Sequence, residues 1–287
     1  MAESSMVERT PVLDILTHAV LIAGVAIIVL PVYLAFVAST HGPSSFLSGV
    51  VPMLPGPYLI DNYWHMLTVG MSTSGAPPLW LMLANSLAMA LVITVGKIAI
   101  SILSAYAIVF FKFPLRILAF WMIFITLMLP VEVRIIPTFK VVADLGLLNS
   151  YAGLTIPLIA SATATFLFRQ FFMTVPDELT EAARVDGAGP MQFFRDILLP
   201  LSRTNIAALF VILFIYGWVQ YLWPLLVTTD TKYYTVVMGI KRMAAYADAD
   251  PQWNLVMAAV MLATLPPVLV VIGMQRLFVK GLVDTEK

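Results

Sequence analysis

Six apolar runs, each long enough to cross a lipid bilayer as a helix, constrain this 287-residue chain more than any other feature. A spanning helix needs about 20 mostly apolar residues. The runs cover residues 15–37, 83–111, 117–137, 153–172, 206–227 and 253–279. They are too long for spanning strands and do not alternate in polarity, which disfavours a transmembrane β-barrel. The sequence therefore predicts an all-α polytopic membrane protein, a single transmembrane domain over residues 1–287 with six spanning helices.

The scarcity of charge excludes several classes of protein. Only 11% of the residues are charged, and 61% are hydrophobic. A soluble domain has about a quarter of its residues charged, so this chain could not cover a water-exposed surface. This excludes an ordinary cytosolic enzyme, a disordered chain and a nucleic-acid binder. The absence of cysteine excludes disulfides and thiolate chemistry, and the scattered His18, His41 and His65 predict no metal site.

The basic residues are distributed unevenly between the two sides that alternating spans would create. One side holds ten, namely Arg9, Lys112, Arg116, Arg169, Arg184, Arg195, Arg203, Arg276, Lys280 and Lys287. The other holds five, namely Arg134, Lys140, Lys232, Lys241 and Arg242. The positive-inside rule places the richer side, and with it both termini, in the cytoplasm. A cleaved signal peptide at the first run is disfavoured because its apolar stretch is too long and no small-x-small site follows.

The two longest segments on the outer side differ in character. Residues 40–80 are rich in Gly, Pro and Ser and contain the aromatic residues Phe46, Tyr58, Tyr63 and Trp64, which is typical of an ordered re-entrant or surface segment without an assigned role. Residues 228–252 contain several charges and are predicted to be a polar outer loop.

The long cytoplasmic connection, residues 174–205, has a pattern of two short helices joined by a turn. Pro176 suits the first turn of a helix, because its missing N–H costs nothing there. Gly187 is placed to end that helix in the left-handed conformation, and Pro190 suits the start of the second helix. These residues alone leave two interpretations open. In the first, the helices lie on the membrane surface. In the second, the small residues allow another protein to dock closely.

The same loop resembles the EAA loop of the inner-membrane permease subunits of bacterial ABC importers. The match consists of Glu181-Ala182-Ala183, Gly187 and Ile197-x-Leu199-Pro200 at the family's spacing. The resemblance implies that this loop docks on a cytoplasmic ATPase through Glu181, Ala182, Ala183, Asp186, Gly187, Ile197 and Pro200. Gly189 stands where relatives often have Ser or Asn, and Gly caps a helix nearly as well.

The resemblance extends over essentially the whole chain. FPLRILAFWMIFITLMLPVEVRIIPTFKVV, FIYGWVQYLWPLL and QRLFVKGLVDTEK are similar to the carbohydrate branch of these permeases, and most to the second permease subunit of sn-glycerol-3-phosphate importers. This implies a type I ABC importer permease fold in the bacterial inner membrane. It also implies a homologous second permease, two ATPase subunits that bind ATP and Mg²⁺, and an extracytoplasmic binding protein. The tail Gly281–Lys287 is expected to touch the ATPases.

This chain is not expected to hydrolyse ATP or to bind a cofactor. The pair Gly96-Lys97 lacks a glycine five residues earlier, where Leu91 stands, and Ile98 replaces the Ser or Thr of a phosphate-binding loop. It is predicted to be a non-catalytic subunit of an ATP-hydrolysing complex.

Polar residues within the spans are the candidates for the substrate pathway. Lys97 lies mid-span, where a charge suggests function, although it could instead pair within the bundle or snorkel to an interface. Arg134, beside Glu132, either meets substrate or forms a local salt bridge. Four further candidates are Asn85, Gln220, Tyr221 and Trp223, although aromatic residues such as the last two more often form an interface belt.

Other functions remain as alternatives. A related ABC importer for another sugar or a glycerophosphodiester would have the same architecture. An ion-coupled secondary transporter would need paired intramembrane carboxylates, and only Lys97 and the interface-proximal Glu132 are found. A membrane-embedded enzyme would need a cluster of polar catalytic groups, which the spans lack.

Overall fold

The computed structural model describes residues 11–46, 52–247 and 252–283, and these residues form helices and no strand. The α-helices are α1 (Pro11–Ser39), α2 (Leu59–Thr68), α3 (Leu79–Phe110), α4 (Arg116–Ile125), α5 (Val131–Asp144), α6 (Tyr151–Thr155), α7 (Ala162–Phe172), α8 (Asp177–Val185), α9 (Pro190–Phe193), α10 (Leu199–Leu201), α11 (Arg203–Trp218), α12 (Leu222–Val227), α13 (Val236–Ala247) and α14 (Trp253–Val283). Short 3₁₀ helices cover Pro43–Phe46, Ser72–Ser74, Ile156–Leu158 and Thr231–Tyr233, and a π-helical turn covers Phe194–Leu198.

Three of the helices are individually long and apolar enough to cross a membrane. They are α1, α3 and α14; α1 and α14 contain the predicted first and sixth runs, and α3 covers all but the last residue of the second run. α1 continues through Pro31, and α14 continues through Pro266 and Pro267. Proline is tolerated in such helices because neighbouring helices and local adjustments satisfy the freed carbonyl groups.

The other three predicted runs are broken helices. Residues 151–158 and 162–172 bend by 44° at their junction. The run predicted at 206–227 is divided between α11, which ends at Trp218, and α12, which starts at Leu222. A further bend of 71° separates residues 190–201 from 203–218, just before that run. The run predicted at 117–137 is divided between the ten-residue α4 and α5, with Pro130 immediately before α5. Proline restricts the residue before it and donates no N–H, which favours such breaks. The described residues thus contain three spanning helices, or up to five if each bent pair is one span. Six spans remain a prediction.

α3 lies at the centre of the bundle, with α11 and α7 packed against it. The contact with α11 is close because Gly217 faces Ala90. A Cβ atom on Gly217 would lie 2.9 Å from Cα of Ala90. Small residues at helix crossings allow backbones to approach in this way. α14 packs on the other side against α1, α2, α11 and α13.

The outer segments are more structured than their composition suggests. Asn62 of α2 donates to the carbonyls of Ser39 and His41, both at 2.8 Å, and accepts from Asn254 at 2.9 Å. These bonds attach the segment at 40–80 to α1 and α14; its residues 47–51 lie outside the described part. The prediction of a simple polar loop at 228–252 was wrong, because α13 lies within it and buries Met243 against the core.

Candidate functional site

A cavity of about 260 Å³ lies between α3, α5, α11, α12 and the turn that joins α6 to α7. Four of the six predicted pathway residues line it, namely Lys97, Arg134, Gln220 and Trp223. The remaining wall consists of Ile135, Thr138, Pro157, Leu158, Ala160, Tyr216 and Leu222. We call this the cation cavity. The tertiary fold brings together here residues that four separate segments of the sequence provide.

Lys97 is buried in α3, with 6% of its surface exposed. Its Nζ lies 3.7 Å from the centre of the Tyr216 ring, a cation–π contact worth about 2 kcal/mol when desolvated. A charge at this depth costs about 2.5–3.5 kcal/mol on insertion scales, so the contact offsets the cost only partly. The neighbouring Gly96 allows the α6–α7 turn to approach, since a Cβ there would lie 2.8 Å from Cγ2 of Ile159.

Arg134 lies in the first turn of α5, and its side chain is exposed. Neither ion pair found within the described part of the chain involves Arg134 or Lys97. The side chain of Glu132, the expected partner, lies outside the described residues. Among the residues whose side chains the structure describes, the cavity wall thus contains two cations and no carboxylate. The two positive charges repel each other. An anion bound between them would be stabilised, because it is attracted to both and offsets that repulsion.

The remaining two predicted pathway residues lie elsewhere. Asn85 is fully buried, where it donates to the carbonyls of Lys232 and Tyr234 at 2.7 and 3.0 Å and accepts from the Tyr151 hydroxyl at 2.7 Å. Its hydrogen-bonding groups therefore hold α3 to α6 and to the segment before α13. Tyr221 is partly exposed immediately before α12 and does not line the cavity.

Trp223 and Gln220 combine a structural contact with a place in the cavity wall. The indole N–H of Trp223 donates to the Gly153 carbonyl at 3.1 Å, and Gln220 Nε2 donates to the Tyr216 carbonyl at 3.1 Å. These bonds fix the orientation of both side chains. Tyr216 was not predicted from the sequence. Nothing in the sequence around this tyrosine indicates that Lys97, 119 positions earlier, lies over its ring.

The loop at 174–205 forms the predicted pair of helices joined at Gly187, which has φ +75°. α8 begins at Asp177, with Pro176 at its cap rather than within its first turn, a one-residue difference at a helix end. The second helix starts at Pro190 and contains the π-helical turn before Pro200. Pro200 has no N–H for a regular ladder, and π turns are frequent at functional sites. We call residues 174–205 the coupling loop.

The predicted coupling residues divide into an outer and an inner set. Glu181, Ala182, Asp186 and Gly187 are exposed, whereas Ala183 is buried and Ile197 and Pro200 are half-buried. Ala183 packs within this chain, against a cluster that includes Phe193 and Phe194. Of the alanine pair, only Ala182 is therefore available to another protein. Val185 and Met191 are outside the predicted contact set; they are apolar and 88% and 65% exposed, so they add apolar surface beside the turn.

The coupling loop is attached directly to α3. The Tyr106 hydroxyl donates to the Pro190 carbonyl at 2.7 Å, and its ring centre lies 5.0 Å from that of Phe194. The loop's own ion pair, Arg195 with Asp196 at 2.7 Å, is exposed and contributes little stability. The hydrogen bond from Arg195 lowers the pKa of the Asp196 carboxyl below its ordinary value.

Comparisons with known proteins agree with this architecture. Residues 97–284 match the family described as binding-protein-dependent transport system inner membrane component. The sn-glycerol-3-phosphate transport system permease protein UgpE of Salmonella typhi is 61% identical, and its counterpart in Brucella melitensis is 58% identical. Each alignment covers 98% of this chain and 100% of the relative.

A solved structure of a bacterial ABC transporter involved in the import of the acidic polysaccharide alginate superposes with a TM-score of 0.79. It is 20% identical, and the match covers 95% of this chain and 99% of that chain. The fold is accordingly that of an all-α, polytopic type I ABC permease. The chain belongs to the family of binding-protein-dependent transport system inner membrane components.

Proposed function

We propose that this chain is a permease subunit of an ATP-driven importer of sn-glycerol-3-phosphate. The names and high identity of its relatives support that substrate class. In this proposal a homologous second permease completes the translocation pathway, and an extracytoplasmic binding protein delivers the substrate. The chain itself is a non-catalytic membrane component, and two cytoplasmic ATPase subunits bind and hydrolyse ATP.

The cation cavity is the observation that carries the substrate assignment. Its described lining residues include Lys97 and Arg134 and no carboxylate. A guanidinium binds phosphate oxygens through paired N–H donors, and an ammonium acts as a compact point charge beside it. Thr138 and Gln220 add polar groups for glycerol hydroxyls. A neutral sugar would leave the buried Lys97 without a compensating charge, which would be costly.

The coupling loop supports the energy source. Its exposed outer set, Glu181, Ala182, Asp186 and Gly187, offers a contact surface to an ATPase. The bond from Tyr106 to Pro190 offers a route from that surface to α3, which also contains Lys97. ATP can bias the permease only if the two ATPase states bind this loop in different positions. We place the loop and both termini in the cytoplasm, in accordance with the distribution of basic residues.

Uptake by the reconstituted four-component complex tests the substrate assignment. We expect Arg134→Gln and Lys97→Met each to reduce sn-glycerol-3-phosphate uptake about tenfold or more, as loss of one charged contact implies. Lys140→Gln is the matched control, since Lys140 lies on the same helix but is exposed and outside the cavity. Both cation variants should leave ATPase assembly intact.

Two results would contradict the assignment. One is wild-type uptake by both cavity variants, and the other is faster uptake of maltose than of sn-glycerol-3-phosphate. Either result would leave the permease architecture unaffected, because that rests on the family match and the fold.

A further inference from the structure

A second cavity, of about 470 Å³, lies between α3, α4 and α7, beside the start of the coupling loop. Arg116 and Arg169 are the charged residues among its described lining residues. The rest of its wall is mainly apolar and aromatic, with Ile108, Val109, Ile117, Phe120, Trp121, Phe124, Phe166, Gln170 and Met173. We call it the arginine cavity. It is separate from the cation cavity and has no place in the proposed transport cycle.

Both guanidinium groups have donor capacity that the protein does not use. Arg169 lies over the Phe120 ring at 4.2 Å, and its Nε is buried without a hydrogen-bond partner. Arg116 makes one long bond, from Nη1 to the Phe111 carbonyl at 3.4 Å. Neither arginine is in an ion pair with any described residue. A buried, unpaired guanidinium N–H is costly, so the site favours an external acceptor.

The position of the cavity indicates where that acceptor comes from. Gln170 and Met173 line it, and the coupling loop begins at the next residue, 174. If that loop is cytoplasmic, as the proposed function has it, the cavity opens at the cytoplasmic surface of the bilayer. Trp121, half-exposed at its mouth, is typical of the membrane interface. Anionic phospholipid headgroups are abundant at this level, and basic pockets between helices bind them.

We propose that the arginine cavity binds the phosphate of an anionic glycerophospholipid from the cytoplasmic leaflet. The two guanidinium groups pair with phosphate oxygens, and an acyl chain covers the exposed faces of Trp121 and Phe124. A free phosphate ion would satisfy the arginines but leave that apolar wall uncovered. The lipid would fasten α4 to α7 because each helix provides one arginine. This inference depends on the proposed function only for the orientation of the chain.

Quenching of Trp121 by brominated lipids tests the proposal in the whole complex reconstituted in nanodiscs. The chain has six tryptophans, so the Trp121 signal is the difference between wild type and Trp121→Phe. We expect brominated phosphatidylglycerol, as a minor component, to quench this signal about threefold more than brominated phosphatidylcholine. Arg169→Gln and Arg116→Gln should each abolish the excess, and Arg169→Lys should retain part of it.

Lys241→Gln is the control, because it removes one exposed positive charge from α13, far from the cavity. Equal quenching by the two lipids, or the same loss in Lys241→Gln, would overturn the proposal. Displacement by inorganic phosphate would assign the arginines to a free anion instead. Absence of quenching by either lipid would mean that a protein partner covers this wall. If Arg169→Gln fails to assemble, Arg116→Gln decides, since its side chain is only partly buried.

The lipid site and the proposed function can be tested separately. For this, the complex from the same preparation is transferred to vesicles, where uptake is measured. Selective quenching by the anionic lipid without sn-glycerol-3-phosphate uptake would support the lipid site and contradict the substrate assignment.

Discussion

Buried polar residues in the bundle differ in whether their hydrogen-bonding groups all have partners within the chain. Asn85 and Lys97 lie on the same helix and are both buried. Asn85 has every hydrogen-bonding group satisfied within the chain, whereas Lys97 has a ring contact and no ion pair among the described residues. The unsatisfied group is therefore the better candidate for a ligand contact. The sequence makes both residues pathway candidates and cannot separate them by their partners, because those partners lie far away in the chain.

Gly187 shows what one backbone angle contributes to the coupling loop. Its φ is +75°, and no atom lies within 4 Å of the position that a Cβ would occupy. We expect Gly187→Ala to strain the turn by about 1–2 kcal/mol and to lower uptake several-fold, because the cost is purely conformational. Gly187→Asn should lower it less, since Asn tolerates this region. Coupled uptake and ATPase activity of the complex are the measurements.

Gly189→Ala is the control for that substitution. Gly189 has φ −73° and equally open surroundings, so alanine fits there without strain. If Gly189→Ala impaired uptake as much as Gly187→Ala does, crowding against the ATPase would explain both, and the conformational explanation would fail.

At the scale of elements, the contact between the coupling loop and α3 is the one that could carry motion from one to the other. The second helix of the coupling loop meets α3 through Tyr106, whose hydroxyl bonds to the Pro190 carbonyl and whose ring packs on Phe194. A hydrogen bond of this kind contributes about 1 kcal/mol, so its loss would weaken the junction without dissolving it. α3 and the loop would then move less tightly together.

We expect Tyr106→Phe to lower the amount of substrate imported per ATP hydrolysed by about two- to fivefold, the equivalent of that bond. Tyr33→Phe is the matched control. It removes a similar bond, from Tyr33 to the Met53 carbonyl at 2.9 Å, outside the coupling region. An unchanged ratio in Tyr106→Phe, or an equal fall in both variants, would show that this junction does not transmit the motion.

The breaks in the helices are also a feature of elements. An apolar run shows that a segment avoids water, but it does not show whether the segment is one continuous helix. α14 continues through Pro266 and Pro267. In the run at 117–137, by contrast, the helix is interrupted at residues 126–130, the last of which is Pro130. Neighbouring helices decide between the two outcomes, because they can satisfy or leave exposed the carbonyl that proline frees.

The orientation of the whole molecule is accessible to labelling because the chain contains no cysteine. Single substitutions Lys112→Cys and Lys232→Cys place exposed thiols in the α3–α4 turn and the outer segment. We expect a membrane-impermeant maleimide to label position 232 from outside and position 112 only in inverted vesicles, since the basic residues orient the spans. Labelling of both positions from the same side would refute the proposed topology.

The sequence by itself determined the all-α membrane class, the helix-turn-helix of the coupling loop and the family. These follow from hydrophobic runs, turn residues and motif spacing, which act over short stretches of chain. Only the tertiary structure decided that Lys97, Arg134, Gln220 and Trp223 share a cavity, that Asn85 is structural and that Ala183 faces inward. The physical reason is that burial and pairing depend on which helices pack together, and local patterns carry no information about such distant partners.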